Sequence, residues 1–336
     1  MVKVQQEHGG DADQVAQSLG CALQDMLDLS TGISPVPYPA PAIDVVRCQA
    51  LPTQTQLQRC LAAAKSFYQV PDTLAMMAGP GTQNLLQAIP ALAIPKAEVW
   101  IPVPSYNEHA PAWQRAGHRV SAAAIFPKSA THAVLVMPNN PTGQYDEGLI
   151  EHVADAVRAR GGILVLDGAF ARPDQAAVLR RFASCAHIIH LRSFGKFFGL
   201  AGLRLGFAIG AVGPITALER AAGPWAVSSI ALEIGAAALA DGPWQRQHLA
   251  FLDTQSDRLA QLLGAHGLTL LGGTNLFQTV ILPEAHDLQN HLAHAGIWTR
   301  KFTLWPDLLR FGVPATDADF SRLDKTLQKW RSQANQ

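Results

Sequence analysis

The chain has 336 residues, of which 48% are hydrophobic, and its 26 Lys and Arg residues balance 26 Asp and Glu residues. A chain of this length buries a substantial core and divides naturally into one large and one small domain, and without a basic run it does not resemble a nucleic-acid-binding protein. The first ten residues contain no apolar signal segment and no stretch reaches membrane-spanning length, so we expect a cytoplasmic protein without membrane contact.

The four cysteines lie far apart, without the spacing of metal ligands; they are Cys21, Cys48, Cys60 and Cys185. This scatter predicts reduced thiols in a reducing compartment and gives no reason to expect a metal site.

Residues 1–40 predict an N-terminal arm with one helix and one short strand. The helix covers residues 14–19, and the strand begins at Leu27 and breaks into a glycine and proline turn before residue 35. His8 stands in the run His-Gly-Gly, where it is either a ligand for a substrate or an ordinary surface histidine.

Two helical segments follow the arm. Residues 42–68 predict helix with a break at Pro52, where Thr53 can cap the second half, residues 54–68. A glycine-rich turn then feeds an amphipathic helix that begins near Thr82. Such a turn presents backbone N–H groups and the positive end of a helix dipole to an anion, although Gly-x-Gly-Thr alone is a weak signal.

Three apolar strands each lead into a polar segment. The strand at residues 98–102 precedes a loop that carries Tyr106, which is either a stacking partner for an aromatic ligand or a core tyrosine. The strand at residues 133–137 precedes Asn140, and the next ends at Asp167. Because α/β sheets place ligand groups where buried parallel strands end, these side chains are candidates for one site. A carboxylate at such a position is costly without a cationic partner.

Lys196 follows a fourth strand, among Phe194, Phe197 and Phe198. Apolar surroundings penalise the ammonium and favour the neutral amine, which is the form that condenses with an aldehyde. Ser193 and Arg204, on either side of the lysine, could bind a phosphate on the same ligand. The alternative is a buried lysine stem on a glycine-rich turn.

The last third of the chain predicts a smaller α+β domain. A helical run at residues 229–263 leads to strands at residues 268–271 and 276–282, and a helix at residues 317–332 ends the chain. Together with the alternation of strands and helices at residues 75–210, this pattern predicts an α/β protein with a mainly parallel sheet and helices on both faces.

The lysine segment resembles that of the class I/II aminotransferase family, the fold type I enzymes of pyridoxal 5′-phosphate (PLP). The motifs in common are Ser193-x-x-Lys196, the following Gly-Leu-Ala-Gly-Leu-Arg-Leu-Gly, Asn140-Pro-Thr-Gly and Asp167. The resemblance implies a large domain at residues 41–225 with a seven-stranded sheet, a smaller domain at residues 226–336 that includes the interdomain helix, and a homodimer. It also implies a PLP site made of Gly81, Thr82, Gln83, Tyr106, Asn140, Asp167, Phe170, Ser193, Lys196 and Arg204.

Within that set, the resemblance implies a role for each part. Lys196 holds the cofactor aldehyde, Asp167 pairs with the ring nitrogen and Asn140 bonds the phenolic oxygen. The serine, the arginine and the glycine-rich turn hold the phosphate, and the tyrosine stacks on the ring.

Three positions depart from the family pattern. Gly168 replaces an acidic residue that many relatives carry, and Phe170 stands where relatives similar to aspartate aminotransferase have a tyrosine. Phe170 cannot donate to the phenolic oxygen, which weakens the case for fast transamination. Leu51 stands where many relatives carry a tyrosine that reaches the cofactor phosphate of the partner subunit.

Four further motifs are His8-Gly9-Gly10, Leu29-Ser-Thr-Gly-Ile-Ser-Pro35, Tyr106-x-Glu108-His109-x-x-x-Trp113 and Leu309-Arg-Phe-Gly312. Together they resemble the branch of the family that decarboxylates L-threonine O-3-phosphate to (R)-1-amino-2-propanol O-2-phosphate for cobalamin biosynthesis. By this resemblance Arg310 binds the substrate α-carboxylate, and Arg300, His8, Gly32 and Ile33 are further substrate-binding candidates. Arg300 is alternatively a solvated arginine on an edge strand.

Two other functions stay open from the sequence. The first is an aminotransferase acting on histidinol phosphate or an aromatic amino acid. The second is a catalytically idle scaffold with the same fold, against which the complete set of Asn140, Asp167, Lys196 and Arg204 argues.

Overall fold

A computed structural model describes residues 9–42, 48–175 and 177–334. These residues form two compact units, one within residues 37–140 and 144–245 and the other within residues 9–36, 141–143 and 246–334. The domain boundaries expected from the sequence, near residues 40 and 225, stay a prediction. His8 and part of the helix predicted at residues 42–52 lie outside the described residues.

The α-helices are α1 Ala12–Leu19, α2 Gln54–Phe67, α3 Thr82–Ala88, α4 His109–Arg115, α5 Glu147–Ala159, α6 Ala177–Arg181, α7 Phe194–Phe197, α8 Val212–Ala222, α9 Ser229–Ala240, α10 Gly242–Ala265, α11 Ala285–His294 and α12 Asp317–Ala334. The strands are β1 Leu27–Asp28, β2 Ala75–Gly79, β3 Glu98–Trp100, β4 Arg119–Ser121, β5 His132–Val136, β6 Leu164–Asp167, β7 Ile188–Ser193, β8 Gly206–Gly210, β9 Thr269–Thr274, β10 Phe277–Ile281, β11 Ile297–Trp298, β12 Arg300–Lys301 and β13 Leu308–Gly312.

The larger unit contains a seven-stranded sheet in the order β2-β8-β7-β6-β5-β3-β4. Strand β8 runs antiparallel to both of its neighbours, and the remaining pairs are parallel. Strands β5, β6 and β7 are therefore adjacent and parallel, which brings their carboxyl ends to the same edge of the sheet. The mainly parallel sheet predicted from the sequence is confirmed.

Both faces of this sheet are buried, because alternate residues of its strands enter different cores. Val134 and Val165 pack in one hydrophobic cluster, which also contains Leu85 of α3 and Trp113 of α4. Their neighbours along the strands pack in another, with Ile150 of α5. Successive side chains of a strand point to opposite faces, so helices cover the sheet on both sides, as expected for parallel strands.

Polar side chains cap the first turns of two helices in this unit. Thr53 caps α2 through a reciprocal capping box with Gln56, as the sequence predicted for this half of the segment. The single helical run predicted at residues 229–263 is instead two helices. Asp241 separates them in a non-helical conformation, and its side chain accepts the Trp244 N–H to cap the second helix.

The smaller unit contains an antiparallel sheet in the order β12-β13-β10-β9. A separate parallel pair joins β1 to β11. Its core consists of buried aliphatic and aromatic side chains that include Leu29, Leu288, Phe311 and Leu323. The core therefore combines β13 with α11, α12 and the segment that follows β1.

Candidate active site

One cavity of about 160 Å³ in the larger unit is lined by all ten residues predicted to hold the cofactor. They are Gly81, Thr82, Gln83, Tyr106, Asn140, Asp167, Phe170, Ser193, Lys196 and Arg204. Asn140 follows strand β5, Asp167 ends β6, and Ser193 ends β7. These side chains meet because their parallel strands end at one edge of the sheet, where α/β folds place their ligands.

One end of the cavity brings a glycine turn close to an arginine. Gly81 has a φ of +79°, and a Cβ atom at this position would lie 2.6 Å from Arg204 Nη2. A Cβ atom at Gly206 would lie 2.6 Å from the Thr82 nitrogen. The two glycines therefore let the backbone that precedes α3 approach Arg204 and β8. Together with Ser193, this end of the cavity offers the charge and hydrogen-bond donors that suit a phosphate.

Asp167 is only 3% exposed, and both of its carboxylate oxygens have partners. Oδ1 accepts the Ala169 N–H at 2.9 Å, and Oδ2 lies 2.9 Å from His109 Nε2. His109 is itself 1% exposed. The histidine therefore donates to the carboxylate from the side and holds its orientation within the cavity.

His109 is the functional residue that sequence reasoning missed. It lies three residues after Tyr106, at the start of α4, and the family resemblance implies no role for it. The signal that points to it is chemical, because a carboxylate at the end of a buried strand requires buried donors.

A hydrogen-bonded group of three side chains surrounds the stacking candidate. Tyr106 donates its hydroxyl to Gln83 Oε1 at 3.0 Å, and Gln83 Nε2 donates to Glu108 Oε2 at 2.8 Å. Glu108 is 8% exposed. Gln83 thus links the tyrosine to a buried carboxylate, and these contacts restrict the orientation of the aromatic ring at the cavity wall.

Lys196 is half-buried on the short helix α7, and its Nζ lies 5.0 Å from the centre of the Phe170 ring. Phe194 and Phe198, on the same segment, stack on each other with ring centres 4.5 Å apart. The apolar setting predicted for the lysine is therefore present. Phe170 supplies a ring face and no hydroxyl at this wall of the cavity.

The other predicted substrate residues lie in the smaller unit. Arg310 is 4% exposed, donates from Nη2 to the Ser30 carbonyl at 2.7 Å and lies over the Phe277 ring at 4.9 Å. Arg300 is half-buried over the Phe302 ring, directly opposite Arg310 in the register of β12 and β13.

Gly32 and Ile33 belong to the turn that follows Ser30 in the chain. Gly32 is buried with a φ of +61°, and Ile33 N–H donates to Thr31 Oγ1. This turn is therefore held by its own backbone and side chains.

Within the part of the chain that the structure describes, no helix has both the length and the apolar character needed to cross a bilayer.

Comparison with known proteins agrees with the geometry of the cavity. The family model described as "Aminotransferase class I and II" matches residues 47–323. The threonine-phosphate decarboxylase of Pseudomonas aeruginosa is 38% identical over 98% of this chain and 99% of its own length. The threonine-phosphate decarboxylase of a Sinorhizobium species is 37% identical over 96% of this chain and 97% of its own length. The histidinol-phosphate aminotransferase of Methylibium petroleiphilum is 29% identical over 63% of this chain.

Solved structures share the fold at lower identity. The histidinol-phosphate aminotransferase of Clostridium acetobutylicum superposes with a TM-score of 0.81 and 17% identity, over 92% of this chain and all of that one. The histidinol-phosphate aminotransferase of Sinorhizobium meliloti, solved with pyridoxal 5′-phosphate, superposes with a TM-score of 0.76 and 19% identity. The superposition covers 98% of this chain and 97% of that one. The fold type I architecture expected from the sequence is confirmed.

Proposed function

Since the chain belongs to the class I and II aminotransferase family, we propose that it is a PLP-dependent lyase that decarboxylates L-threonine O-3-phosphate. The product is (R)-1-amino-2-propanol O-2-phosphate, for cobalamin biosynthesis. The observation that carries the proposal is the 37–38% identity to two threonine-phosphate decarboxylases over almost their entire length.

The residues that line the cavity fit the chemistry of PLP. The ten lining residues predicted to hold the cofactor supply an amine, a buried carboxylate, an amide and an aromatic ring. They also supply a hydroxyl and a guanidinium that suit a phosphate. Bound there, PLP would supply an electron sink that stabilises negative charge on the substrate α-carbon. The remaining chemistry belongs to the side chains of the protein.

Each side chain has a defined task in this proposal. Lys196 Nζ would hold the cofactor aldehyde and, as a free amine, the proton that returns to the substrate α-carbon. Asp167 would pair with the ring nitrogen and favour its protonated form, because a buried carboxylate favours a neighbouring cation. His109 holds the carboxylate in position through its 2.9 Å contact.

The remaining lining residues anchor the cofactor. Asn140 would donate to the phenolic oxygen, and Tyr106 would stack on the ring. Ser193, Arg204 and the Gly81–Gln83 turn would hold the cofactor phosphate.

The substrate is anionic at both ends, and the smaller unit offers two cations opposite each other. Arg310 binds the α-carboxylate in a bidentate manner and so sets which bond at the α-carbon is broken. Arg300 binds the substrate phosphate. Gly32 and Ile33 contribute backbone contacts to the substrate, and His8 is a further candidate for its phosphate.

Carbon dioxide release provides the test of this function. Purified protein with PLP and L-threonine O-3-phosphate, without a keto acid, should release carbon dioxide over many turnovers. An aminotransferase, which is the competing function, would stop after one turnover and would resume only with a keto acid. Turnover that depends on a keto acid would overturn the lyase assignment.

We also infer a homodimer. A cavity of about 400 Å³ on the larger unit is lined by Pro52, Leu57 and Trp225, among others, and the Trp225 side chain is 60% exposed. Leu51, beside Pro52, is 61% exposed. Exposed apolar side chains around a cavity favour a protein contact. Sedimentation of the purified chain should give twice the monomer mass. The Trp225→Glu variant should give a mass closer to that of the monomer.

A further inference from the structure

Arg192 places a buried positive charge beside a second cavity of the larger unit. The residue lies on β7, is 6% exposed and lines this cavity with Tyr145, Gln175 and His190. The cavity is distinct from the one that contains Lys196, since no residue lines both.

The guanidinium has weak partners among the described residues. Nη2 lies 3.5 Å from the Gln175 carbonyl oxygen, at the outer limit of a hydrogen bond, and the Tyr68 ring centre lies 5.8 Å from the guanidinium carbon. Nε is buried without a hydrogen-bond partner, and no described carboxylate lies within 4.0 Å to form an ion pair. Arginine remains protonated in proteins, so this charge requires a counter-charge.

None of the neighbouring titratable groups among the described residues supplies that counter-charge in direct contact with the guanidinium. Burial, together with the charge of Arg192, lowers the pKa of His190 to about 3, so this histidine is neutral at pH 7. Burial raises the pKa of both Tyr68 and Tyr145, which keeps their phenols neutral. The Asp167 carboxylate favours the charged form of Arg192 from a distance but forms no ion pair with it, and its oxygens contact the Ala169 N–H and His109 instead.

Gly168 leaves open the space beside the guanidinium. A Cβ atom at this position would lie 2.8 Å from Arg192 Nη1. The cavity here has a volume of about 20 Å³, enough for one water molecule or one ion of similar size.

We propose that Arg192 binds a small monovalent inorganic anion, of the size of chloride, in the cavity beside Gly168. The anion provides a counter-charge in contact with the guanidinium, which no described carboxylate does. The proposal stands apart from the proposed enzymatic function, because it concerns another cavity and needs neither substrate nor turnover.

Thermal unfolding in matched salts tests the proposal. Sodium chloride or bromide should raise the melting temperature of the full chain in a saturable manner, by about 2–4 °C relative to sodium gluconate at equal ionic strength. Gluconate is too large for the cavity. Arg192→Gln should abolish the difference, whereas Arg220→Gln, which alters an exposed arginine on α8, should keep it.

Position 168 provides a second test, which remains informative if Arg192→Gln does not fold. Gly168→Asp places a tethered carboxylate beside the guanidinium and should remove the response to chloride. Gly168→Ala, whose Cβ atom fills part of the same space without a charge, should reduce the response but should lower the melting temperature in gluconate relative to Gly168→Asp. Crystals soaked in bromide should show an anomalous peak beside Arg192 in the wild type. A melting temperature that does not distinguish chloride from gluconate, or a bromide-soaked crystal without that peak, would overturn the proposal.

Discussion

His109 Nε2 lies 2.9 Å from Asp167 Oδ2, and both side chains are almost completely buried. The two residues are 58 positions apart in the chain, one on the first turn of α4 and the other at the end of β6. The contact fixes one oxygen of the carboxylate while the Ala169 N–H fixes the other. This arrangement determines how Asp167 faces the cavity.

Replacing His109 with phenylalanine should leave Asp167 Oδ2 without a donor. We expect a loss of about 1–3 kcal/mol in the free energy of unfolding, because a buried acceptor becomes unsatisfied. The absorption spectrum of bound PLP should also shift, since the carboxylate at the ring nitrogen would move. His187→Phe, at a half-buried histidine outside the cavity, is the control for loss of an imidazole. An unchanged spectrum would show that His109 has only a structural role.

Replacing Lys196 with alanine should abolish both cofactor attachment and turnover. The variant lacks the amine that binds the aldehyde, so the visible absorbance of the bound cofactor should disappear. Carbon dioxide release should fall by about 10³-fold or more. Lys65→Ala, at an exposed position on α2, should behave like the wild type in both measurements. Retention of the visible absorbance by Lys196→Ala would contradict the role of this lysine.

Replacing Gly81 with alanine should weaken PLP binding. The added methyl group would meet Arg204 Nη2 at 2.6 Å, and alanine at a φ of +79° is strained. A strain of about 1–3 kcal/mol corresponds to a loss of affinity of roughly 5- to 150-fold in a PLP titration. Gly213→Ala, where a Cβ atom meets nothing within 4 Å, is the matched control. Equal affinities of the two variants would argue against the phosphate site at Gly81.

Arg300 and Arg310 should differ in the part of the substrate that they recognise. Loss of a charge-assisted hydrogen bond in Arg300→Gln should raise KM for L-threonine O-3-phosphate by about 10- to 100-fold. The KM of this variant for L-threonine, which lacks the phosphate, should change little. Arg310→Gln should impair both substrates, because both carry the α-carboxylate. Equal losses with both substrates in Arg300→Gln would exclude this division of roles.

His190 should make the protein less stable in acid. Burial and the charge of Arg192 lower its pKa from 6.5 to about 3, so between these values the unfolded chain holds a proton that the native chain does not. The free energy of unfolding should therefore decrease as the pH falls through this window, by up to about 1.4 kcal/mol per pH unit from this residue.

Urea unfolding at several pH values measures that slope. His190→Asn should reduce it, whereas His294→Asn, at an exposed position on α11, should not. Identical slopes for the wild type and His190→Asn would contradict the lowered pKa.

The residues at the strand ends were predictable because they depend on local pattern. Asn140, Asp167 and Ser193 each follow or end an apolar strand, and parallel strands bring such positions together wherever the sheet forms. The apolar setting of Lys196 was predictable as well, because its apolar neighbours lie within a few residues of it in the chain. The break at Asp241 was less visible, because the helical pattern continues on both sides of it.

The order of elements, the residues that line the cavity and the family could be predicted from the chain alone, because strand periodicity and short motifs are local properties. Three relationships needed the folded structure: His109 supports Asp167, Arg300 lies opposite Arg310, and Arg192 is buried beside Gly168 without a carboxylate partner among the described residues. Each of them joins residues that are ten or more positions apart in the chain. The physical reason is that a side chain's partners depend on register and packing, which adjacent residues do not encode.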